Sequence, residues 1–218
     1  VAGIFVPGGA VAGAGLALGA VWMAGARGER EFSVYRLILC GTVTAAMFSS
    51  ILMMTVSLSS ARVLQSVTWW MMGNLSLPDR ELLLTAAVTL TVGTGLLLVN
   101  ARALDALSLG EETAHNLGYN TRRLIPFLLI CATVLTAAAV AVAGLIGFIG
   151  LIIPHVVRKF AGCGHRGLVP LSVFFGGAFL AVCDTAARTV WAPVEIPAGV
   201  VTALCGGPFF IWILNKRT

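Results

Sequence analysis

Gly144-Leu145-Ile146-Gly147-Phe148-Ile149-Gly150-Leu151-Ile152-Ile153-Pro154-His155-Val156-Val157-Arg158 is an apolar run with glycines three apart, one proline and a basic end at Arg158 and Lys159. Glycines at that spacing let a second backbone come close, which suits helix packing in lipid better than packing in water. A bilayer crossing takes about 20 mostly apolar residues. The stretch 146–160 is shorter than that, so it is expected to sit within the protein or be shielded by neighbours.

The rest of the chain agrees with a membrane setting. Of its 218 residues, 58% are hydrophobic and 11% charged, and the mean hydropathy is +0.96. A soluble domain carries about 25% charged residues; this chain could not cover a water-facing surface. The class is therefore all-α, a polytopic transmembrane helix bundle, with one domain over 1–218 and a lipid bilayer as its first partner. The net charge of +5 does not point to nucleic acid, because the basic residues sit at the ends of apolar runs. Val1 opens the chain with no basic stretch ahead of an apolar core, so no signal peptide of the usual form is expected and the natural start is expected to be missing.

Seven segments are candidate spans: about 2–25, 35–57, 82–100, 124–143, 146–160, 168–191 and 197–214. Alternate connections collect Arg27, Arg30, Arg36, Arg102, Arg122, Arg123, Arg158, Lys159, Arg166, Lys216 and Arg217, against Arg62, Arg80 and Arg188 on the other side. Eleven against three predicts a cytoplasmic C-terminus, a cytoplasmic 101–123 loop and an external Val1. An external start with seven spans suits a chain that lacks an odd number of upstream helices.

The run from Gly144 to Arg158 resembles, almost letter for letter, a signature of the permease subunits of bacterial importers for iron-siderophores, haem and cobalamin, the FecCD-type transmembrane permeases. Trp70-Met71-Met72-Gly73 resembles that family's motif after an external crossing. Leu107-Ser108-Leu109-Gly110-Glu111, with Ala114, Leu117 and Gly118, resembles its cytoplasmic loop. Asp184 with Arg188, then Glu195-Ile196-Pro197-Ala198-Gly199-Val200-Val201-Thr202, then Gly207-Pro208-Phe209-Phe210-Ile211-Trp212, resembles its last two helices. The resemblance implies a ten-span permease of which about seven spans are present, in the bacterial plasma (inner) membrane. It also implies a second permease copy (a homodimer), cytoplasmic ATP-binding subunits and an external substrate-binding protein.

The loop at about 102–121 is the only polar stretch long enough to hold its own structure. Gly110 and Gly118 bracket about two helical turns, and Glu111 and Glu112 at the start favour the positive end of a helix. Ala114 and Leu117 are three apart and are expected to share a face. From the residues alone this is either a capped amphipathic helix on the membrane or a docking element. The resemblance implies a coupling helix, Gly110, Glu111, Ala114, Leu117 and Gly118, seated on a cytoplasmic ATPase. The chain has no Gly-x-x-x-x-Gly-Lys-Ser/Thr loop, so ATP would be bound by the partner subunit.

Asp184 and Arg188 are i and i+4, acid first, the favourable order for a local pair. They are either a self-neutralising pair or, as the resemblance implies for Arg188, the docking point for the external binding protein. The segment from Ser57 to Asp79, with Trp69 and Trp70, suits an external interfacial helix. Hydroxyls along the second span, Thr42, Thr44, Ser49, Ser50, Thr55 and Ser57, are expected to face a partner subunit or the pathway. The resemblance implies a cytoplasmic constriction near Val34 and Tyr35. Pro154 and Pro208 lie within apolar runs and predict kinks or half-helices.

The five cysteines show no ligand spacing, so neither a disulfide nor a metal site is expected, and Cys163 reads as a free thiol. Among the histidines, His155 reads as a packing residue and His165 as solvated. No nucleophile–base pair is visible, so the chain is expected to be a transporter subunit rather than an enzyme, with no cofactor of its own. The rival is an ion-coupled secondary transporter, which wants an acid at mid-span. The nine acidic residues lie in loops or near helix ends, Asp184 deepest.

Overall fold

The computed structural model describes residues 2–25, 34–75, 80–162, 164–190 and 192–215. Arg27, Arg30, Asp79, Cys163, Lys216 and Arg217 lie outside the described residues. Within them the chain forms α1 Ala2–Gly25, α2 Val34–Ser57, α3 Ala61–Met71, α4 Arg80–Val99, α5 Ala101–Ser108, α6 Glu111–Asn116, α7 Thr121–Ala143, α8 Ile149–Ala161, α9 His165–Thr189 and α10 Ala198–Asn215.

Seven of these helices overlie the seven apolar segments. Among the described residues, length and composition support four membrane crossings, at 38–57, 80–99, 121–143 and 165–189. The described apolar stretches of α1 and α10, Ala12–Val21 and Ala198–Ile213, are shorter, and α8 has 13 residues. A helix of 13 residues is about 20 Å long, two thirds of the hydrocarbon thickness, so α8 needs protein around one end.

Small residues decide the packing. α1, α4 and α7 pack on one another, and α8, α9 and α10 form a second group that meets the first where α9 touches α4 and α5. The buried positions are mostly alanine: Ala86, Ala101, Ala103, Ala106, Ala114, Ala137, Ala138, Ala141, Ala187 and Ala198. Without a hydrophobic driving force in lipid, close backbone approach at small side chains is what joins helices. The larger apolar side chains point outward instead, Val88, Phe174 and Val182 among them.

A backbone break separates α7 from α8, where the expected spans 124–143 and 146–160 part. Helix runs through both Pro154 and Pro208. The interruption is at 144–148, where Gly144 takes φ 69° and Phe148 φ 67°. Left-handed backbone at these two positions, rather than the missing proline N–H, ends α7 and starts α8. Three of the six serine and threonine hydroxyls of α2 are satisfied within the helix. Thr42, Ser50 and Thr55 donate to the carbonyls of Ile38, Ala46 and Ile51 at 2.9, 2.9 and 2.8 Å, a back-bond that satisfies a hydroxyl within its own helix.

Candidate functional site

Two ends of the bundle carry the polar side chains and the unusual backbone. At one end α4 passes through Asn100 into α5, and α5 packs on α6. Gly110 and Gly118 flank α6 at φ 113° and 89°, values that a side chain would strain. Glu111 and Glu112 occupy the first turn of α6, opposite its positive end. The Ala114 N–H donates to the Gly110 carbonyl at 3.0 Å, and the Ala114 carbonyl accepts from the Tyr119 N–H at 3.1 Å.

Ala114 and Leu117, three apart on α6, differ in exposure. Ala114 is wholly buried, whereas Leu117 is 61% exposed. The helix ends at Asn116 and Leu117 is its C-cap, with φ −77° and ψ 3°, its N–H still donating to the Thr113 carbonyl at 3.0 Å. Ala114 anchors α6 to its own chain; Leu109 and Leu117 stand out beside it. α5 is a helix that the loop reading missed. Its signal was Ala101, Ala103 and Ala106, all buried, in a stretch read as polar because of Arg102 and Asp105.

Asp105 makes the main polar contact at this end. Its Oδ1 accepts the His165 backbone N–H at 2.9 Å and the ring Nδ1–H at 2.5 Å. His165 Nε2 lies 3.3 Å from Arg158 Nη2. His165 is therefore not solvated: its side chain is 13% exposed and is held by α5. Sequence reasoning missed this because the partners are 60 residues apart. The His165 side-chain hydrogen bond, then its backbone N–H, hold the Asp105 carboxyl below the usual carboxylate range.

At the opposite end, three stretches quoted separately from the sequence meet. Trp70-Met71-Met72-Gly73 closes α3, Gly144-Leu145 follows α7, and Pro197-Ala198-Gly199 opens α10. A methyl added to Gly144 would collide with the Trp70 carbonyl oxygen, and one on Gly199 with the Met72 carbonyl oxygen. The Asn74 N–H donates to the Ala143 carbonyl at 3.0 Å, and the Gly199 N–H to the Gly73 carbonyl at 3.4 Å. Of the three glycines spaced by three, only Gly144 makes such an approach; Gly147 and Gly150 face open space.

Beside this junction Arg188 Nε donates to Asp184 Oδ2 at 2.9 Å in the last turns of α9. Trp69, Asn74, Glu195 and Pro197 complete a small recess around the pair. The Ile196 N–H donates to the Ala187 carbonyl at 3.2 Å, tying the connecting loop to α9. Between the two ends an apolar cavity of about 500 Å³ lies among α8, α9 and α10, lined by Ile153, Val157, Phe179, Cys205 and Phe209. It offers no polar group to a ligand. Among the described residues no three His, Cys, Asp or Glu side chains come together as a metal site. The side chains of Val34 and Tyr35 are outside what the structure describes, although their backbone opens α2.

Comparison with known proteins adds to this geometry. A model described as the FecCD transport family matches residues 2–216. The "Hemin transport system permease protein HmuU" of Yersinia pestis is 40% identical over 182 residues, which is 84% of this chain and 54% of the relative. The "Cobalamin import system permease protein BtuC" of Halobacterium salinarum is 41% identical over 181 residues, 83% of this chain and 48% of the relative. The chain thus spans about half the length of these relatives. A solved metal-chelate type ABC transporter in an inward-facing conformation superposes with a TM-score of 0.78 at 32% identity, over 84% of this chain and 60% of that one.

Proposed function

The chain belongs to the FecCD transport family, and on that premise we propose that it acts as the membrane-spanning permease subunit of an ATP-driven importer for iron-siderophore, haem or cobalamin. The observation that carries the reading is α6. It is a short acidic-ended helix pinned by one buried alanine between two left-handed glycines, with Leu109 and Leu117 turned outward. A solvated loop needs no such anchoring, whereas a docking helix does. In this reading Glu111 and Leu117 meet a cytoplasmic ATPase, Ala114 holds the helix to its own chain, and Gly110 and Gly118 set its angle. The domain is one permease unit over 1–218, and the coupling loop is about 102–121.

ATP stays on the partner subunit. Arg188, oriented by Asp184, receives an external substrate-binding protein. A second copy of the permease completes the pathway, with the constriction near Val34 and Tyr35. The C-terminus lies on the cytoplasmic side of a bacterial inner membrane. The rival ion-coupled transporter loses support from Asp184, the deepest acid, because it is already paired with Arg188.

Co-purification with cytoplasmic ATPases tests the reading. The wild type is expected to retain an ATPase, and Glu111→Arg to lose it while remaining monodisperse. A well-folded wild type that retains none contradicts the coupling assignment.

A further inference from the structure

We propose that Asp105 and His165 are positioning residues that carry movement of α5 and α6 into α8 and α9, so that a stroke received at α6 reaches Arg188 at the far end of α9. The proposal rests on the coupling reading given above.

The geometry begins at the start of α9. Its N-cap, Gly164, has no side chain to satisfy the first N–H groups, and such groups need a partner from elsewhere. Asp105 supplies it from α5, 60 residues away. The carboxylate also lies at the positive end of α9, where negative charge is favoured. With Nδ1 donating to Asp105, the remaining ring nitrogen is an acceptor, which is what the Arg158 guanidinium requires at 3.3 Å. One ring orientation therefore joins α5, α9 and α8.

Each side of this joint moves as a unit. α5 and α6 pack on each other, and each carries a buried alanine, Ala106 and Ala114. On the other side Ile153 and Val157 of α8 pack on Leu168 of α9, with Phe179 against them. Charge-assisted hydrogen bonds are short and directional, so a shift of α5 pulls the α8–α9 pair rather than slipping past it. α9 has 25 residues, about 37 Å at 1.5 Å per residue. It carries the joint at its first residue and Arg188 one residue before its end. The neighbouring cations of α5, α8 and α9, Arg102, Lys159 and Arg166, are exposed and have no place in the joint.

The test uses the assembled complex with its ATPase subunits in lipid nanodiscs, a spin label on Val190→Cys beyond Arg188, and MgATP with vanadate as the probe. ATP hydrolysis and label mobility are read separately. Wild type is expected to respond at Val190. Asp105→Ala and His165→Leu are expected to keep hydrolysis within about twofold while the Val190 response falls about tenfold or more, as for loss of a charged hydrogen bond. His165→Asn keeps a donor near the Nδ1 position toward Asp105 and is expected to recover most of the response. That recovery separates positioning from loss of fold. A full response in Asp105→Ala overturns the proposal, and so does loss of hydrolysis and response together without rescue by His165→Asn. A wild type that binds no ATPase overturns the coupling reading and the joint with it.

Discussion

The two ends of the bundle are held by opposite means. Around Gly73, Gly144 and Gly199, backbone lies directly on backbone, with no side chain between. Around Asp105, His165 and Arg158, polar side chains join α5, α9 and α8 through hydrogen bonds. Packed backbone has one arrangement, because interiors resist small displacements. A side-chain joint keeps its direction while the helices it links can move together. The difference teaches that the glycine junction of α3, α7 and α10 is the fixed point and the Asp105 joint the link through which a moving partner is received.

The largest effect is expected from breaking the fixed end. Gly144→Ala adds left-handed strain of about 1–2 kcal/mol to an overpacking cost of about 1–3 kcal/mol. Gly199→Ala carries the overpacking cost alone. Both are expected to lower the yield of monodisperse protein and its Tm, Gly144→Ala more. A Gly144→Ala protein with unchanged Tm would mean that the junction gives way easily and the contrast between the ends is wrong.

A step smaller, Ala114→Leu enlarges a side chain that has no free space. It is expected to cost about 1–3 kcal/mol and to lift α6 without unfolding α7. Hydrogen exchange of the 111–116 amides against those of 125–140 reads this directly. Equal loss of protection in both would merge what the comparison separates.

Asp105→Asn is smaller again, and its effect has a sign in pH. The folded carboxyl lies below its ordinary value of 3.8. A depressed carboxylate stabilises fully above its unfolded value and stops doing so as pH falls through the folded one. The Tm gap between wild type and Asp105→Asn is therefore expected at neutral pH and to close in acid below 3.8. A gap that widens in acid would place the stabilising charge elsewhere. The smallest effect on the fold itself is expected from Arg188→Glu, since the pair is partly exposed and such pairs contribute little to stability. Its consequence is instead weaker capture of an external binding protein at low salt, measured as a fall in association rate.

The helices were legible because the apolar runs are long and their ends carry charge. The α6 boundaries were legible because Gly110 and Gly118 bracket a short stretch that opens on two acids, Glu111 and Glu112. Three features were hidden. α5 read as loop since its buried alanines are interleaved with Arg102 and Asp105. The His165 partner is 60 residues distant, and no local pattern encodes such a pairing. The third is the difference in exposure between Ala114, wholly buried, and Leu117, 61% exposed, which depends on what packs over α6 and not on spacing.

Uptake into proteoliposomes carrying the assembled complex tests the central claim most directly. Haemin, cobalamin and a ferric siderophore are supplied with a binding protein outside and MgATP inside. The account predicts that one of them accumulates only when ATP is present, with no imposed ion gradient. Accumulation driven by a proton or sodium gradient in the absence of ATP would contradict it.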